Sequence, residues 1–332
     1  KEILIPELTG DKKFNYVLKQ ISPDQWIQIR DLKLPGIFSE KTTKRIYPGN
    51  TIASSTIGFI GGEGKGLAGL EYGFENELAG SQGEVTVEIS AGGRPLPSGI
   101  ASEKKPVPGT GIRLTIDRDI QWVAQSAISD AVKKSHAKSG TVIVMDPKSG
   151  AILAQANAPT FDPANPKSIT LASIRNPAVQ DVYEPGSTGK VITVAAAIEE
   201  KKITPTSVFT IPYELKIGTR KYHDHEKHAT ERLTTSGLLA ISSNTGAIQV
   251  GQELGADTLY KYLNKFGIGQ NSGSHLPGES PGILHSVDQW TDSSLPTISF
   301  GQGYSVTALQ ATSVFATIAN DGVRVTPNVV AG

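Results

Sequence analysis

The segment Pro185–Lys190 (PGSTGK) and the apolar run that follows it, Val191–Glu200 (VITVAAAIEE), are the most informative part of this 332-residue chain. The Pro-Gly pair ends the element before it, and the Ala-rich run contains strong helix formers. We therefore expect a buried helix that begins at or near Ser187. Lys190 then lies one turn further along, and residues three apart on a helix share a face. The serine hydroxyl can consequently meet the lysine amine.

A nucleophilic serine requires this arrangement. The amide groups in the first turn of a helix favour negative charge beside Ser187. A serine nucleophile also needs a base within hydrogen-bond reach, and Lys190 can be that base when it is neutral. Burial beside an apolar run lowers the pKa of a lysine, so the segment predicts an activated serine. The alternative is a helix-capping serine followed by a solvated lysine.

Ser-x-x-Lys is a weak signal by itself, because it occurs three times in the chain. The pair Ser102 and Lys105 is followed by two prolines, which forbid a continuing helix. The pair Ser135 and Lys138 comes where a helix should be ending. Only the pair within Pro185–Lys190 opens a helix that we expect to be buried.

A second motif, Ser242-Ser243-Asn244, follows a predicted amphipathic helix over 235–241 and is the only Ser-x-Asn in the chain. We expect a short extended or loop segment in which Ser242 and Asn244 are on the same side. The hydroxyl can relay a proton, and the carboxamide can bind a peptide group with both a donor and an acceptor. The alternative is a helix cap, because serine and asparagine are favoured there.

The chain resembles class B penicillin-binding proteins over nearly its whole length. Its two motifs come in the order of the penicillin-recognising serine enzymes, Ser-x-x-Lys and then Ser-x-Asn. Four further blocks are similar to this family, two in its non-catalytic N-terminal module and two ahead of its third motif: Arg45–Gly49, Gly66–Glu71, Leu276–Ser280 and Ser299–Gln310. Several independent blocks in the right order make the match specific.

The resemblance implies a D,D-transpeptidase that cross-links peptidoglycan stem peptides. Ser187 would attack the carbonyl of the penultimate D-alanine and form an acyl-enzyme, with Lys190 as the base. Ser242 would pass the proton to the leaving D-alanine nitrogen, and Asn244 would orient the substrate. The N–H of Ser187 would supply one half of an oxyanion hole.

The same resemblance implies substrate binding by Gly301, Gln302 and Gly303, and covalent inhibition by β-lactams. It implies no cofactor and no metal. The expected partners are stem peptides on a lipid-linked precursor and other proteins of cell division or elongation, with division favoured. A single N-terminal membrane anchor is expected outside this sequence, which would place the protein at the extracytoplasmic face of the bacterial membrane.

The third motif of the family, Lys-Thr-Gly or Lys-Ser-Gly, should follow Gly303 but does not occur before Gly332. Two Lys-Ser-Gly triplets, Lys138–Gly140 and Lys148–Gly150, precede the nucleophile, and we interpret both as unrelated to it. The first residues look like the middle of a domain. We therefore expect a chain that is cut at both ends and lacks a strand of its own catalytic cleft.

Composition excludes several classes of function. Lys and Arg together number 32, as do Asp and Glu, so a net charge of zero gives no electrostatic case for nucleic-acid binding. Cysteine is absent, which excludes disulfides, thiol nucleophiles and cysteine metal sites. No apolar run reaches the roughly 18 residues of a membrane-spanning helix, and no signal peptide is visible.

We predict an α+β chain of two modules. Residues 1–110 would be a non-catalytic pedestal and dimerisation module that ends in a Gly- and Pro-rich linker at 91–111. Residues 111–332 would be a transpeptidase domain in which an antiparallel sheet has helices on both sides. Periodicity and turn residues predict further local elements: helices over 23–29, 71–78 and 120–134, a strand over 83–89, a hairpin over 141–156, and mostly helical structure up to residue 322.

Three of the six histidines, His223, His225 and His228, occur with two carboxylates in the segment 223–228. A His-x-His pair on a strand places both rings on one side, a pattern that suits zinc or nickel. We favour a polar loop or strand edge near the mouth of the cleft, stabilised by contacts between histidines and carboxylates.

Two other functions remain open. A serine β-lactamase-like hydrolase shares these motifs but usually lacks a large N-terminal module, and this chain has about 110 residues of it. A non-catalytic scaffold of the division machinery would use the N-terminal module chiefly to bind partners.

Overall fold

The computed structural model describes residues 14–40, 42–89 and 95–331. Helices are interspersed with short strands, and all five strand pairs in this part of the chain are antiparallel. Mixed helices and antiparallel strands define an α+β architecture, as predicted. The first residues of the chain and the Gly92-Gly93 pair lie outside the described residues.

The N-terminal module begins with helix α1 (Pro23–Asp31), as predicted. The Ser22 hydroxyl accepts a hydrogen bond from the N–H of Gln25, and the Gln25 side chain accepts one from the N–H of Ser22, which forms a capping box. The remaining elements of this module are short: α2 (Ser54–Ile57), β1 (Phe59–Ile60), β2 (Gly66–Ala68), α3 (Gly69–Gly73), α4 (Glu75–Leu78), β3 (Glu84–Ile89) and β4 (Pro95–Lys104).

Two predictions in this module need correction. The acidic helix predicted over 71–78 is interrupted at Phe74, which has φ −115° and follows the poor helix former Gly73. The linker predicted over 91–111 is wrong for residues 95–104, which form β4 and pair with β3. Prolines are tolerated here because each strand of a two-stranded ribbon has an outer edge, where a missing N–H removes no ladder hydrogen bond.

The C-terminal module, predicted to be a transpeptidase, is built on the hairpin of β5 (Gly140–Met145) and β6 (Ile152–Ala158), joined by the predicted turn. Helix α5 (Arg118–Ser135) is capped by Asp117 and packs on one face of the hairpin. Helices α6 (Pro177–Gln180) and α12 (Ala308–Ala319) pack against β5 elsewhere. These helices and β5 share a hydrophobic cluster in which Ile143 packs against buried Val179 and Leu309. The predicted antiparallel sheet with helices on both sides is therefore confirmed, and in the described residues this sheet has two strands.

A second, helical core surrounds α7 (Lys190–Glu199). Helices α9 (Asn244–Leu254) and α10 (Ala256–Lys265) pack against it, and their shared cluster includes Ile192, Ala196, Val250 and Leu263. The other helical elements of the module are α8 (Thr235–Ala240), α11 (Ser294–Ser299) and three 3₁₀ turns, Pro166–Ser168, Gly186–Gly189 and Val287–Gln289. The buried helix predicted after Ser187 is thus the centre of this core.

The expectation of mostly helical structure up to residue 322 overlooked four short strands. These are β7 (Val208–Ile211), β8 (Glu214–Ile217), β9 (Arg220–His223) and β10 (Glu231–Thr234), which pair as β7 with β10 and β8 with β9. Each has four residues, and those of β8 and β9 carry several charged side chains. Four residues are too few for a decisive period-two signal, although β8 (Glu-Leu-Lys-Ile) does alternate between charged and apolar side chains.

A buried polar layer joins the two modules, and we name it the intermodule seam. It consists of the buried residues Ser54, Ser55 and Thr56 of α2, Gln155, Asn157 and Asn176. Half-buried Thr160 contacts the Ser54 hydroxyl at its edge. The Nδ2 of Asn157 donates to the Ser55 hydroxyl at 2.7 Å, and the Nε2 of Gln155 donates to the Thr56 hydroxyl at 3.0 Å. Both amides also donate to the side-chain oxygen of Asn176. The seam fixes the N-terminal module directly against strand β6.

No helix in the described ranges is both long enough and apolar enough to cross a lipid bilayer.

Candidate active site

Three side chains from two distant segments of the chain meet at the start of α7. The Nζ of Lys190 is 3.1 Å from the Oγ of Ser187 and 3.0 Å from the Oγ of Ser242. It also donates to the backbone carbonyl of Ser242. Ser187 lies in the 3₁₀ turn Gly186–Gly189 that leads into α7, as the helical spacing predicts. The structure thus brings together Ser187, Lys190 and Ser242.

The lysine of this cluster is buried, whereas both serines are exposed. Lys190 is 1% exposed, and Ser187 and Ser242 are open to solvent. Burial lowers the pKa of Lys190 to about 8, although the negative charge of Asp224 opposes the decrease. A neutral amine is therefore accessible near neutral pH, and a lysine must be neutral to act as a base.

The partners of the Lys190 amine suit both of its protonation states. The ammonium group has three donors, which can serve the two hydroxyls and the Ser242 carbonyl. The neutral amine has two N–H groups and one lone pair. The Ser187 hydroxyl can rotate to donate to that lone pair while the carbonyl still accepts. The cluster can therefore take a proton from Ser187 without losing a hydrogen-bond partner.

Ser242 is held in an unusual backbone conformation. Its φ of 58° lies in the left-handed region, which costs a non-glycine residue roughly 1–2 kcal/mol. In this conformation both the carbonyl and the hydroxyl of Ser242 contact Lys190. Strained backbone of this kind is frequent at functional sites.

The predicted extended or loop segment at Ser242-Ser243-Asn244 is partly wrong, because the motif is a tight turn between α8 and α9. The Ser243 hydroxyl caps α9 by accepting a hydrogen bond from the N–H of Gly246 at 2.9 Å. Asn244 is the first helical residue, and its side chain donates to the carbonyl of His223 at 3.1 Å. Capping, the alternative considered for this motif, is thus the role of Ser243, while Ser242 faces the lysine.

The segment 301–306 holds the nucleophile turn from another direction. Tyr183 and Val306 exchange two backbone hydrogen bonds, at 3.0 and 2.9 Å. The N–H of Gly186 donates to the carbonyl of Gly301 at 2.8 Å. The backbone around the serine is therefore fixed on both sides of the Pro-Gly turn.

Among the predicted substrate-binding residues, Gly301 and Gly303 contact the nucleophile segment. The N–H of Gly303 donates to the carboxylate of Glu184 at 2.7 Å. Gly301 has φ 92°, and a Cβ at this position would be 1.8 Å from the carbonyl oxygen of Gly186, so only glycine fits. Gln302 is exposed between the two glycines. A part for these residues in substrate binding stays a prediction.

The histidine-rich segment is the end of β9 followed by a loop, and the buried carboxylate of Asp224 lies at its centre. The Nε2 of His228 is 3.0 Å from the Oδ2 of Asp224, and the Nδ1 of His223 is 2.9 Å from the Asp224 carbonyl. His225 is exposed. The described residues contain no group of three or more His, Cys, Asp or Glu side chains placed to hold a metal ion.

Sequence reasoning gave no role to three residues that shape this site, namely Glu184, Asp224 and Tyr304. Tyr304 occurs inside the block Ser299–Gln310 and Glu184 directly precedes the segment Pro185–Lys190, so the signal was present. Tyr304 is 2% exposed, and its hydroxyl is so near the nucleophile turn that a Cβ on Gly189 would be 2.4 Å from it. The sequence indicated Asp224 only as a carboxylate beside histidines. Its contacts with the second motif join residues about 20 positions apart in the sequence, and no local pattern reveals such contacts.

The serines of the other Ser-x-x-Lys and Lys-Ser-Gly motifs do not lie at the start of a buried helix as Ser187 does. Ser102 lies in β4. Ser135 is the last residue of α5, where its hydroxyl donates to the carbonyl of Ala131 at 2.7 Å. Ser149, in the turn between β5 and β6, donates to the carboxylate of Asp146 at 2.5 Å. None of these three serines opens a buried helix.

The chain belongs to the penicillin-binding protein transpeptidase domain family, whose model matches residues 140–332. A second model, that of the penicillin-binding protein dimerisation domain, matches residues 9–114. The resemblance identified from the motifs and the order of the two modules are therefore confirmed. The boundary near residue 110 stays a prediction.

Penicillin-binding protein PbpB of Mycolicibacterium smegmatis is 37% identical over 330 residues, which cover 98% of this chain and 50% of that protein. Peptidoglycan D,D-transpeptidase FtsI of Escherichia coli is 32% identical over 312 residues, covering 94% of this chain and 52% of that protein. The crystal structure of penicillin binding protein 3 from Mycobacterium tuberculosis complexed with ampicillin has 37% identity and a TM-score of 0.77, covering 86% of this chain and 60% of that one. The chain spans about half the length of these two curated relatives.

Proposed function

We propose that the protein containing this chain is a serine D,D-transpeptidase of peptidoglycan synthesis. It cross-links stem peptides through an acyl-enzyme on Ser187 and is inhibited covalently by β-lactams. The observation that carries the proposal is the contact of one buried amine, that of Lys190, with two exposed hydroxyls, those of Ser187 and Ser242. A nucleophile, a base and a second proton carrier are the groups that acyl transfer needs.

Acylation follows from the geometry. Neutral Lys190 accepts the proton of the Ser187 hydroxyl while the Oγ of Ser187 forms a bond to the substrate carbonyl carbon. The N–H of Ser187, in the 3₁₀ turn ahead of α7, supports the developing oxyanion; one such donor is worth roughly a hundredfold to a thousandfold in rate. The proton then passes from Lys190 through the Ser242 hydroxyl to the leaving D-alanine nitrogen. The amine of a second stem peptide then attacks the acyl carbon and loses one proton to Ser242 and Lys190. The ester bond to the Oγ of Ser187 breaks, and this oxygen takes a proton back from Lys190.

The names of the relatives support this choice of substrate. The Escherichia coli relative is named a peptidoglycan D,D-transpeptidase, and the Mycobacterium tuberculosis neighbour binds ampicillin. A β-lactam carries a reactive amide that Ser187 would open in the same way as the D-Ala-D-Ala amide. We assign Asn244 to orienting the peptide group, and Gly301, Gln302 and Gly303 to the edge of the substrate cleft.

The setting of the proposed reaction is the extracytoplasmic face of the bacterial membrane, because lipid-linked peptidoglycan precursors are polymerised there. The names FtsI and PbpB of the relatives support a role in cell division, with other division proteins as partners. The dimerisation-domain match over 9–114 supports an N-terminal module that binds another protein chain.

The test is Ser187→Ala in the full-length protein, assayed by labelling with a fluorescent penicillin. We expect labelling to be abolished, since the atom that forms the covalent bond is removed. The matched control is Ser135→Ala, which removes the serine of another Ser-x-x-Lys pair and should label like the wild type. Retained labelling of the Ser187→Ala protein would refute the assignment.

The two alternatives give different results in the same preparation. A β-lactamase-like hydrolase would turn over a chromogenic cephalosporin rapidly, whereas a transpeptidase stays acylated. A scaffold would show neither penicillin labelling nor cross-linking while partner binding remained intact. The cluster of Ser187, Lys190 and Ser242 favours an enzyme over a scaffold, because a scaffold has no need of a buried lysine beneath two hydroxyls.

A further inference from the structure

We propose that Asp224 is a positioning residue of this site: its buried carboxylate locks the turn Ser242-Ser243-Asn244 against Lys190. The inference rests on the proposed acyl-transfer function. It concerns a residue that lies outside both motifs, in the loop that follows strand β9.

The contacts of the Asp224 carboxylate converge on the second motif. Its Oδ1 accepts hydrogen bonds from the N–H groups of Asn244 and Thr245, at 2.5 and 2.9 Å. Its Oδ2 accepts one from the Ser243 hydroxyl at 2.8 Å. Three donors from three consecutive residues are thus bound by one side chain that is 5% exposed. Because Ser242 directly precedes these residues, the carboxylate fixes the point from which the Ser242 backbone turns toward the lysine.

The remaining acceptor position of Asp224 is used by His228. Its Nε2 is 3.0 Å from Oδ2, while its Nδ1 is 2.7 Å from the carbonyl of Ala229. Neither a carboxylate nor a carbonyl can donate, so both ring nitrogens must carry a proton to make both contacts. The hydrogen bonds to Ala229 and Asp224 accordingly raise the pKa of His228. A carboxylate has about four acceptor sites, and all four of Asp224 are occupied.

Asp224 also acts on the active site through its charge. Its negative charge stabilises the ammonium form of Lys190 without a direct ion pair among the described contacts, and this opposes the effect of burial on the pKa of that lysine. The other titratable groups around the pair come from several elements. They are His223 at the end of β9, His228 on the Asp224 loop, Tyr213 between β7 and β8, and Glu231 on β10. The Tyr213 ring is 5.7 and 6.0 Å from the rings of His223 and His228.

Asp224→Asn removes the charge and nearly preserves the shape. The amide oxygen can still accept from Asn244 and Thr245, and its NH₂ group can donate to the Ser243 hydroxyl and to a neutral His228. Without the negative charge the Lys190 ammonium is less stable. We therefore expect the midpoint of the pH dependence of acylation, near 8 in the wild type, to move to lower pH. A purely structural role would lower the rate at every pH and leave the midpoint in place.

The measurement is the second-order rate constant for labelling of the full-length protein by a fluorescent penicillin, between about pH 6 and pH 10. The matched control is Glu214→Gln, which converts an exposed carboxylate of the adjacent hairpin, paired with Lys221 at 2.9 Å, into an amide. Its midpoint should stay at the wild-type value. An unchanged midpoint for Asp224→Asn would overturn the inference.

Asp224→Ala tests the positioning itself. Removing charge-assisted hydrogen bonds from the turn should lower the high-pH rate about 100-fold, because a small displacement of the Ser242 hydroxyl and carbonyl is enough to cause such a loss. A folded Asp224→Ala protein, verified by circular dichroism, that labels within about threefold of the wild type would contradict the inference. If this variant does not fold, Asp224→Glu replaces it. The longer side chain keeps the charge but shifts the carboxylate, so the rate should fall while the midpoint stays near the wild-type value.

Failure of this inference is distinguishable from failure of the proposed function. If the Ser187→Ala protein still labels, the acyl-enzyme assignment is wrong. If labelling needs Ser187 but the Asp224 variants behave like the wild type, only the role of Asp224 is wrong.

Discussion

Two polar clusters of this molecule both contain hydroxyl side chains but use them for different purposes. The intermodule seam pairs the hydroxyls of Ser55 and Thr56 with the amides of Asn157 and Gln155, and all four residues are buried and neutral. The active-site cluster pairs two hydroxyls with one buried amine but leaves the hydroxyls exposed. Serine near a helix start is common to both clusters.

The difference shows what turns a polar contact into a reactive one. In the seam all the hydrogen-bonding side chains are neutral, so nothing in it titrates near neutral pH. In the active-site cluster a single ionisable group is buried, and its pKa of about 8 means that its proton can leave or arrive under ordinary conditions. The buried lysine and the exposed serines therefore identify the reactive cluster, whereas hydroxyls alone do not.

The largest expected effect is that of Lys190→Met, which removes the amine and keeps an unbranched apolar chain. Penicillin labelling should fall by about 1000-fold or more, because a general base typically contributes 10²–10⁴. The free energy of unfolding should not fall, since a buried charge without an ionic partner in direct contact stabilises little. Labelling rates and thermal unfolding measure the two expectations.

The control for this variant is Lys138→Met, which changes the lysine of another Ser-x-x-Lys pair. It should label at the wild-type rate. Labelling of Lys190→Met within about tenfold of the wild type would show that another group activates Ser187.

The next largest effect is the pH dependence of the wild-type protein. Because the reactive form of Lys190 is the neutral one, the labelling rate should rise with pH and level off above about 8. Well below this midpoint it should decrease about tenfold for each pH unit. The lowered pKa of Lys190 also makes stability depend on pH. Between about pH 8 and pH 10.5 the unfolded chain binds more protons than the folded chain. The contribution of Lys190 to the free energy of unfolding therefore increases as pH rises through that window. A labelling rate that is flat between about pH 6 and pH 9 would contradict the role of Lys190.

The smallest effect on labelling is expected from Asn157→Ala in the seam. This change leaves the hydroxyls of Ser55 and Thr141 without the amide that they contact at 2.7 and 2.8 Å. The free energy of unfolding should fall by about 2–3 kcal/mol. Labelling of the folded protein, and its pH midpoint, should be unchanged. Denaturant unfolding and labelling can be measured on the same samples.

The matched control is Asn165→Ala, an exposed asparagine whose side chain contacts only nearby backbone in the described structure. It should change the unfolding free energy by less than about 0.5 kcal/mol. A shifted pH midpoint in the Asn157→Ala protein would show that the seam and the active site are coupled, which the comparison above does not expect.

The sequence was sufficient where a local rule determined the contact. The pairing of Ser187 with Lys190 follows from the helical period, and the hairpin at 141–156 follows from two apolar strands around a turn. The identification of Ser242 depended on the order of motifs known from a family, because no local pattern connects it with a lysine 52 residues away in sequence.

The rest depended on contacts between distant segments. Strand β4 was missed because its prolines are typical of a linker, and they are tolerated only because the ribbon has two outer edges. Asp224 was missed because its partners, 19 to 21 residues further along, cannot be identified from spacing. The seam was missed because Ser, Thr and Asn usually lie at the surface, and only the packing of two modules buries them.

The seam also restricts how modules could be exchanged between relatives. A chimaera that combines this transpeptidase module with the N-terminal module of another protein must supply hydroxyls at positions 55 and 56 to meet the amides of Asn157 and Gln155. Apolar replacements there would leave the two buried amides with the side-chain oxygen of Asn176 as their one shared acceptor among these contacts. Transplanting residues 51–57 together with the transpeptidase module keeps each hydroxyl with its amide, and we expect such grafts to fold where simple fusions at the boundary do not.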